Sequence, residues 1–318
     1  MRLKEKIKEY VHTVKLLFLI PRRYADYLID GEYRWNVSAT VLFSDKEADV
    51  VNDELSAIFL NISTTKNVLR ELFCKWVRFR IKKNPKVFWG QFLSISSSAK
   101  ELRIFDLRSR KLLTVFEDTK RASKLLKQRD YWNMYIPTVK YSIYNASTII
   151  EPLLKKISFS SLEVFPTILS IYTNYYEAIN NGDLEFCHID VEDEMNMCKL
   201  PILMTHGDLW KSNVIYDGEK VYIIDFEHSK NRVFYYDLFT YMLMDFAFFN
   251  DLSIWQNYLS GVYDQAFSRA FSALGVVYYP CYKIKYYKVF LDSFKSDRPV
   301  MASGERFIKV SEIMLNAQ

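Results

Sequence analysis

The chain has 318 residues, half of them hydrophobic and 16% aromatic, with only 8 glycines and 8 prolines. That composition excludes a disordered or fibrous protein, and the length is enough for two lobes with large cores. The net charge of +5 is small but uneven: residues 1–150 hold 28 Lys and Arg against 16 Asp and Glu, and the remainder holds 15 against 22. A basic first half beside an acidic second half suits phosphates under one lobe and a neutral or cationic group on the other, or is solvated surface.

In chain order, residues 3–19 read as an amphipathic helix ended by Pro21. Its apolar run from Leu16 to Ile20 is too short for a secretory leader or a membrane span, so a cytoplasmic protein is expected. Strand-like residues cover 36–43 and a helix 53–60. Residues 67–83 read as a helix with an apolar face (Leu69, Leu72, Phe73, Trp76, Val77, Ile81) and a basic remainder. Its basic face is either solvated or, as the less favoured reading, makes peripheral contact with an anionic membrane at the inner face. Residues 1–86 are taken as an N-terminal extension.

Residues 87–153 read as a small β-rich lobe. Strands are expected over 87–94, 102–107 and 112–116, a helix over 119–134, and strands over 139–144 and 148–150. Residues 154–318 form the larger lobe. It starts with a helix over 161–180, followed by an acidic stretch over 183–194 and a strand over 200–205. A hairpin over 214–224 comes next, and aromatic helices run from Tyr236 onward. Cys74, Cys187, Cys198 and Cys281 form no C-x-x-C pattern and read as ordinary thiols rather than a metal site or disulfide framework.

Chemistry concentrates in Thr205-His206-Gly207-Asp208-Leu209-Trp210-Lys211-Ser212-Asn213 and in Ile223-Ile224-Asp225-Phe226-Glu227. Asp208 and Asn213 are five residues apart, so one tight loop can aim the first at an acceptor hydroxyl and the second at a metal ion. Asp225 follows one hairpin later at the end of an apolar strand, where it can bind the same metal. Phosphoryl transfer needs an oriented nucleophile, magnesium on the phosphates and charge stabilisation. Asp208 is therefore the candidate base, and Asn213 and Asp225 are the candidate Mg2+ ligands. Glu227 reaches either the metal shell or the acceptor, or is a surface charge. Lys211 stabilises the transferring phosphoryl group or is an exposed lysine. Trp210 packs beneath the loop or lines the acceptor site.

H-G-D-x-x-x-x-N followed by I-D-F-E, with Tyr236-Asp237-Leu238 downstream, resembles the signature of the aminoglycoside phosphotransferase and choline kinase group. The match is clear over residues 202–239. The resemblance implies an α+β, bilobal protein-kinase-like fold, ATP and Mg2+ as cofactors, and supporting roles for His206 and Asp237 in the catalytic loop. It also implies a hinge at Glu151-Pro152-Leu153 whose backbone binds adenine. The pattern departs in the first lobe. The lysine usually found late in the third strand is represented only by Lys111 at a strand start, with Arg103 and Lys100 as substitutes. The helix offers no glutamate partner, and Gly90 and Ser96-Ser97-Ser98 stand where a glycine-rich loop is expected.

The expected function is transfer of the ATP γ-phosphoryl group to a hydroxyl of a small molecule or glycoconjugate, not nucleic acid. Ile-Asp-Phe-Glu-His favours a choline-like amino alcohol in an acidic, aromatic pocket. The basic N-terminal region favours a saccharide on a lipid carrier. His-Gly-Asp rather than His-Arg-Asp disfavours a protein substrate. The alternatives are a catalytically inactive relative that binds nucleotide or a partner, and a peripheral membrane scaffold.

Overall fold

The computed structural model describes residues 19–22, 24–35, 41–44, 78–82, 88, 90–95, 101–180, 187–191 and 198–316. They fall into two compact units, one drawn from 1–124 and 140–154 and the other from 125–139 and 155–318. The class is α+β, as expected from the sequence. Among the described residues no helix is long and apolar enough to cross a membrane.

The first unit is one antiparallel sheet. Its strands are β1 (Gly31–Trp35), β2 (Val41–Ser44), β3 (Phe79–Ile81), β4 (Phe92–Ile95), β5 (Glu101–Asp106), β6 (Lys111–Phe116), β7 (Ser142–Asn145) and β8 (Thr148–Pro152). They lie in the order β3-β1-β2-β4-β5-β6-β8-β7. Inward residues such as Tyr33, Trp35, Leu42, Leu93, Leu102, Ile104 and Leu113 form its core. The β5–β6 turn is held by Asp106, which accepts the N–H groups of Arg108 and Ser109 at 3.1 and 3.0 Å, and Arg110 adopts a left-handed φ of 53°.

Two expectations change here. Strands β1, β2 and β3, drawn from the residues read as an extension, share one sheet and one unit with β4–β8. Residues 79–81 are strand, not the end of a helix: Phe79 and Ile81 are buried around an exposed Arg80, and Phe79 pairs with Tyr33 and Ile81 with Gly31. Alternation with period two thus wins over the helical spacing of the preceding residues. The remainder of that expected helix, most of the one over 3–19 and the one over 53–60 lie outside the described residues. Gly90 serves packing rather than phosphate binding. A Cβ there would lie 2.3 Å from Ile104 Cγ2 and 2.7 Å from the Tyr27 carbonyl, and its own N–H and C=O bond Tyr27 and Ile29.

The second unit is mainly helical. Helix α1 (Thr119–Asn133) spans the division between the units. Then follow α2 (Ser161–Asn180), β9 (Cys187–Val191), β10 (Cys198–Thr205), a 3-10 turn at Lys211–Asn213, β11 (Val214–Tyr216), β12 (Val221–Ile223) and β13 (Lys230–Val233). Helices α3 (Tyr236–Phe249), α4 (Ser253–Leu259), α5 (Asp264–Ser272), α6 (Lys283–Asp297), α7 (Pro299–Ala302) and α8 (Glu305–Asn316) complete the unit. Strand β10 lies between β9 and β13, and β11 pairs with β12. The strand expected over 139–144 starts at Ser142, because Thr138 instead bridges to Ile223 within the second unit.

Helix α3 is buried on every side from Tyr236 to Asp245, as suits a central helix. Asn250, left-handed at φ 56°, ends it. Helix α2 presents Tyr172, Tyr175 and Tyr176 on one face. Their hydroxyls donate to Asp237 at 2.9 Å, to the Met204 carbonyl at 2.7 Å and to the Phe234 carbonyl at 2.6 Å. These bonds brace the segments that carry the catalytic motif. For the first unit, Gly90→Ala is expected to cost about 1–3 kcal/mol through forced movement of Ile104 and Tyr27, read as a lowered urea midpoint with an unchanged slope.

Candidate active site

Strand β10 ends at Thr205, and the chain enters a loop whose backbone polar groups are buried and need partners. Asp237, in the first turn of α3 and fully buried, supplies them. It accepts the His206 N–H and the Gly207 N–H, each at 2.7 Å, together with the Tyr172 hydroxyl. Gly207 sits at φ 81°, and a Cβ would lie 2.5 Å from both Arg232 Nη1 and the His228 carbonyl. Only glycine fits this corner.

His206 is also fully buried. Its Nδ1 accepts the Asp208 N–H at 3.2 Å, which leaves the proton on Nε2 to be donated to the Ile224 carbonyl at 2.8 Å. The ring thus ties the loop to the chain just before Asp225. Asn213 closes the loop. Its Nδ2 donates to the Asp208 carbonyl at 2.8 Å and to Asp208 Oδ2 at 3.0 Å, and its own carbonyl accepts the Ile224 N–H at 3.0 Å. Asp208 and Asn213 are therefore in contact, and Asp225 follows directly on a residue bonded to both His206 and Asn213. Asp225 is left-handed at φ 68°, a conformation that aspartate tolerates better than most residues.

With its amide nitrogen engaged, Asn213 keeps Oδ1 as a hard oxygen donor. Together with the Asp225 carboxylate it could supply the sparse protein donor set that magnesium takes when phosphates and water fill its remaining positions. Among the described residues no group of three or more His, Cys, Asp or Glu offers an all-protein metal cage.

Arg298 is a site residue that sequence reasoning missed. Its Nη2 lies 2.7 Å from Asp208 Oδ1 and donates to the Gly207 carbonyl at 2.7 Å. The adjacent Asp297 pairs with Lys230 and with buried Arg232. Arg232 in turn donates to Thr205 Oγ1 at 2.8 Å and to the His228 carbonyl at 3.2 Å, and stacks on Tyr236. The end of α6 therefore grips both sides of the loop. The one local signal is Asp297-Arg298-Pro299, where proline disfavours a helical Arg298. Its partners lie some ninety residues earlier in the chain.

Other candidates are placed differently. Glu227 is exposed, with its carboxylate 3.6 Å from the His228 ring. Lys111 is exposed at the start of β6 and pairs with Pro152. Glu151 accepts the Thr114 hydroxyl at 3.1 Å, and the Leu153 N–H donates to the Arg110 carbonyl at 2.8 Å, so the hinge donor is engaged within its own unit. As read from the sequence, the helix brings no glutamate to a strand lysine; instead, with the charges inverted, Arg121 of α1 lies 3.3 Å from Glu101 of β5. Arg103 also pairs with Glu101, at 3.5 Å. Lys100 and Ser96-Ser97-Ser98 lie outside the described residues.

Lys211 stands over two rings, 5.4 Å from the Phe159 centroid and 5.1 Å from Phe249, and Trp210 packs on Phe248 at 5.1 Å. Asp245, on the same side of α3 as Ser161, accepts that residue's hydroxyl and is 3% exposed. Burial raises its carboxyl from 3.8 to about 6. The native state then holds this proton where the unfolded chain has lost it, so the stability it supplies is complete below pH 3.8 and gone above about pH 6. Asp245→Asn is accordingly expected to be more stable than the parent by about 1–3 kcal/mol at pH 7 and equal to it at pH 4, as measured by urea unfolding at the two pH values.

Comparison with known proteins bears on residues 172–275, which match the sequence model of the phosphotransferase enzyme family (APH). No curated protein matches the chain. Among solved structures, an ethanolamine kinase of Plasmodium vivax is 14% identical with a TM-score of 0.38, covering 68% of this chain and 77% of its own. A choline kinase of Streptococcus pneumoniae is 12% identical with a TM-score of 0.38, covering 69% and 90%. An aminoglycoside phosphotransferase solved with ADP and hygromycin B is 11% identical with a TM-score of 0.39, again covering 69% and 90%. Likenesses this distant assign neither an acceptor nor a site residue. Over residues 172–275 the chain carries the pattern of the phosphotransferase enzyme family, the family its catalytic motifs resemble.

Proposed function

We propose that this chain is an ATP-dependent phosphotransferase acting on a hydroxyl of a small molecule or glycoconjugate. The supporting observation is the contact of Asp208 with Asn213, in a loop tied through Ile224 to Asp225. Asp208 accepts a hydrogen bond from the acceptor hydroxyl and aligns its oxygen with the γ-phosphorus. As the new O–P bond forms and the bond to the β-phosphate oxygen breaks, the hydroxyl proton passes to Asp208 and ADP departs. Both carboxylate oxygens already have partners, but each has a second lone pair for the hydroxyl. Asn213 and Asp225 would hold Mg2+, which neutralises charge on the phosphates. Arg298 fixes Asp208 Oδ1, which governs the angle of attack.

With purified chain, ATP and Mg2+, slow ATP hydrolysis is expected. Asp208→Ala and Asp225→Ala are expected to reduce it by about 10²–10⁴-fold. Hydrolysis unchanged in both variants rejects the reading. Arg298→Gln is expected to lower turnover by about 10–100-fold with ATP affinity retained, as judged by separate titration of a non-hydrolysable analogue.

A catalytically inactive nucleotide-binding relative is the second reading. It is favoured by the Glu101–Arg121 pair, in which the strand carries the carboxylate and the helix the cation. ATP binding without turnover in the parent chain selects it.

A further inference from the structure

We infer that the acceptor is an anionic saccharide, not a cationic amino alcohol, and that it is held beside Asp208 by Lys156, Lys211 and the aromatic surface of Trp210, Phe248 and Phe249. This rests on the phosphotransferase reading, because it assigns the substrate class of that same site.

Asn213 bonds back to Asp208, so Trp210 and Lys211 ride on one closed loop. Three residues of chain span at most about 11 Å, which keeps Lys211 close to the catalytic carboxylate. Phe248 and Phe249, at the end of α3, are 40% and 46% exposed although both are large and apolar. Trp210 stacks on the first, and Lys211 stands over the second.

Rings of this kind can take a quaternary ammonium by cation–π attraction. Here the protein's own cations already cover them. Lys211 lies over Phe159 and Phe249, Lys156 lies 5.8 Å above Phe159, and the Arg306 guanidinium lies 5.9 Å from Phe248. A choline-like head group on the ring surface that remains exposed would sit beside those cations and be repelled by them. An anion meets the reverse situation. Lys156 donates to the Lys211 backbone carbonyl at 3.3 Å, and the two ammonium groups lie 5.8 and 5.4 Å from the same Phe159 centroid. Burial, and then the charge of Lys211, holds the Lys156 ammonium below its usual value, as expected for a cation lacking a full counter-charge. Two carboxylates do interact with Lys211. Asp245 is 3% exposed and faces inward to Ser161, and Asp251 accepts the Ser253 N–H at 2.9 Å in its own turn. Asp251 remains partly exposed but is outnumbered by Lys156, Lys211 and Arg306, so the charge beside the rings is net positive. Exposed aromatic faces beside it suit the C–H faces of a sugar ring, whose acidic group meets the ammonium ions.

The test measures binding by ligand-observed NMR to the full chain, with Mg2+ and a non-hydrolysable ATP analogue, using D-glucuronate, glucose 1-phosphate, glucose and choline as probes. Millimolar binding of the two acidic sugars is expected, falling at high salt and weakened about tenfold or more in Lys156→Gln/Lys211→Gln. Lys156→Arg/Lys211→Arg, which keeps the charge, should retain it. Choline bound more tightly than either acidic sugar overturns the inference, as does acidic-sugar binding absent from the parent or equal in the Gln variant, provided thermal melting shows that variant folded. If that variant is unfolded, the Arg variant decides through its salt dependence: a salt-insensitive affinity also overturns the inference. Failure of the phosphotransferase reading is seen separately, as ATP hydrolysis that does not depend on Asp225.

Discussion

The catalytic loop depends on one buried carboxylate. Asp237 has no solvent to compensate its charge, and it receives two backbone N–H groups and a tyrosine hydroxyl instead. Hydrogen bonds to a charged group contribute about 1.5–3 kcal/mol each, and an orphaned buried N–H costs a similar amount. The loop and the carboxylate therefore stabilise each other, and removing either exposes the other to its full desolvation penalty. Asp237 lies in the first turn of α3, where the helix dipole also favours negative charge. From there the constraint passes outward, from Asp237 to His206, from His206 to Ile224, and so to the placement of Asp225.

This explains how much of the molecule is legible in the sequence. The hairpin of β11 and β12, helix α2 and the strand into the loop depend on contacts between near neighbours, and their patterns are local. The His-Gly-Asp segment is legible because its polar groups lie at fixed short offsets. Arg298 is not, because α6 brings it to Asp208 from some ninety residues away, and nothing in Asp297-Arg298-Pro299 names the partner. Strand β3 is hidden for a related reason. Phe79 and Ile81 fit either a helix or a strand, and only the presence of β1 beside them decides. The Glu101–Arg121 pair is not legible in the sequence, since strand and helix must both be placed before their side chains meet.

Helix α3 carries opposite electrostatic problems at its two ends. Asp237 lies where a carboxylate is favoured and is surrounded by donors. Asp245 lies in the last turns, where the dipole disfavours negative charge, and has Ser161 as its hydrogen-bond donor. Its raised pKa follows from burial and then from the neighbouring Asp251, against the opposing effects of the Ser161 hydrogen bond and Lys211. A cation at this end is favoured by the dipole, and Lys211 stands there over Phe249. The sequence alone suggested an acidic, aromatic pocket fit for choline. The proposed anionic acceptor reverses that sign, because Asp245 turns inward while Lys156 and Lys211 lie against the rings.

Substrate choice by such a surface works through what it repels as much as what it binds. A cationic acceptor would bring a third positive charge to Lys156 and Lys211 in a partly desolvated place, where like charges interact more strongly than in water. An acidic sugar relieves the repulsion already present between the two lysines. Its hydroxyls still lie within reach of Asp208, because Trp210 and Lys211 share the loop that Asn213 closes. On the proposed reading, Trp210 and Lys211 lie between Asp208 and Asn213, so a change in the shape of that turn would alter turnover and specificity together.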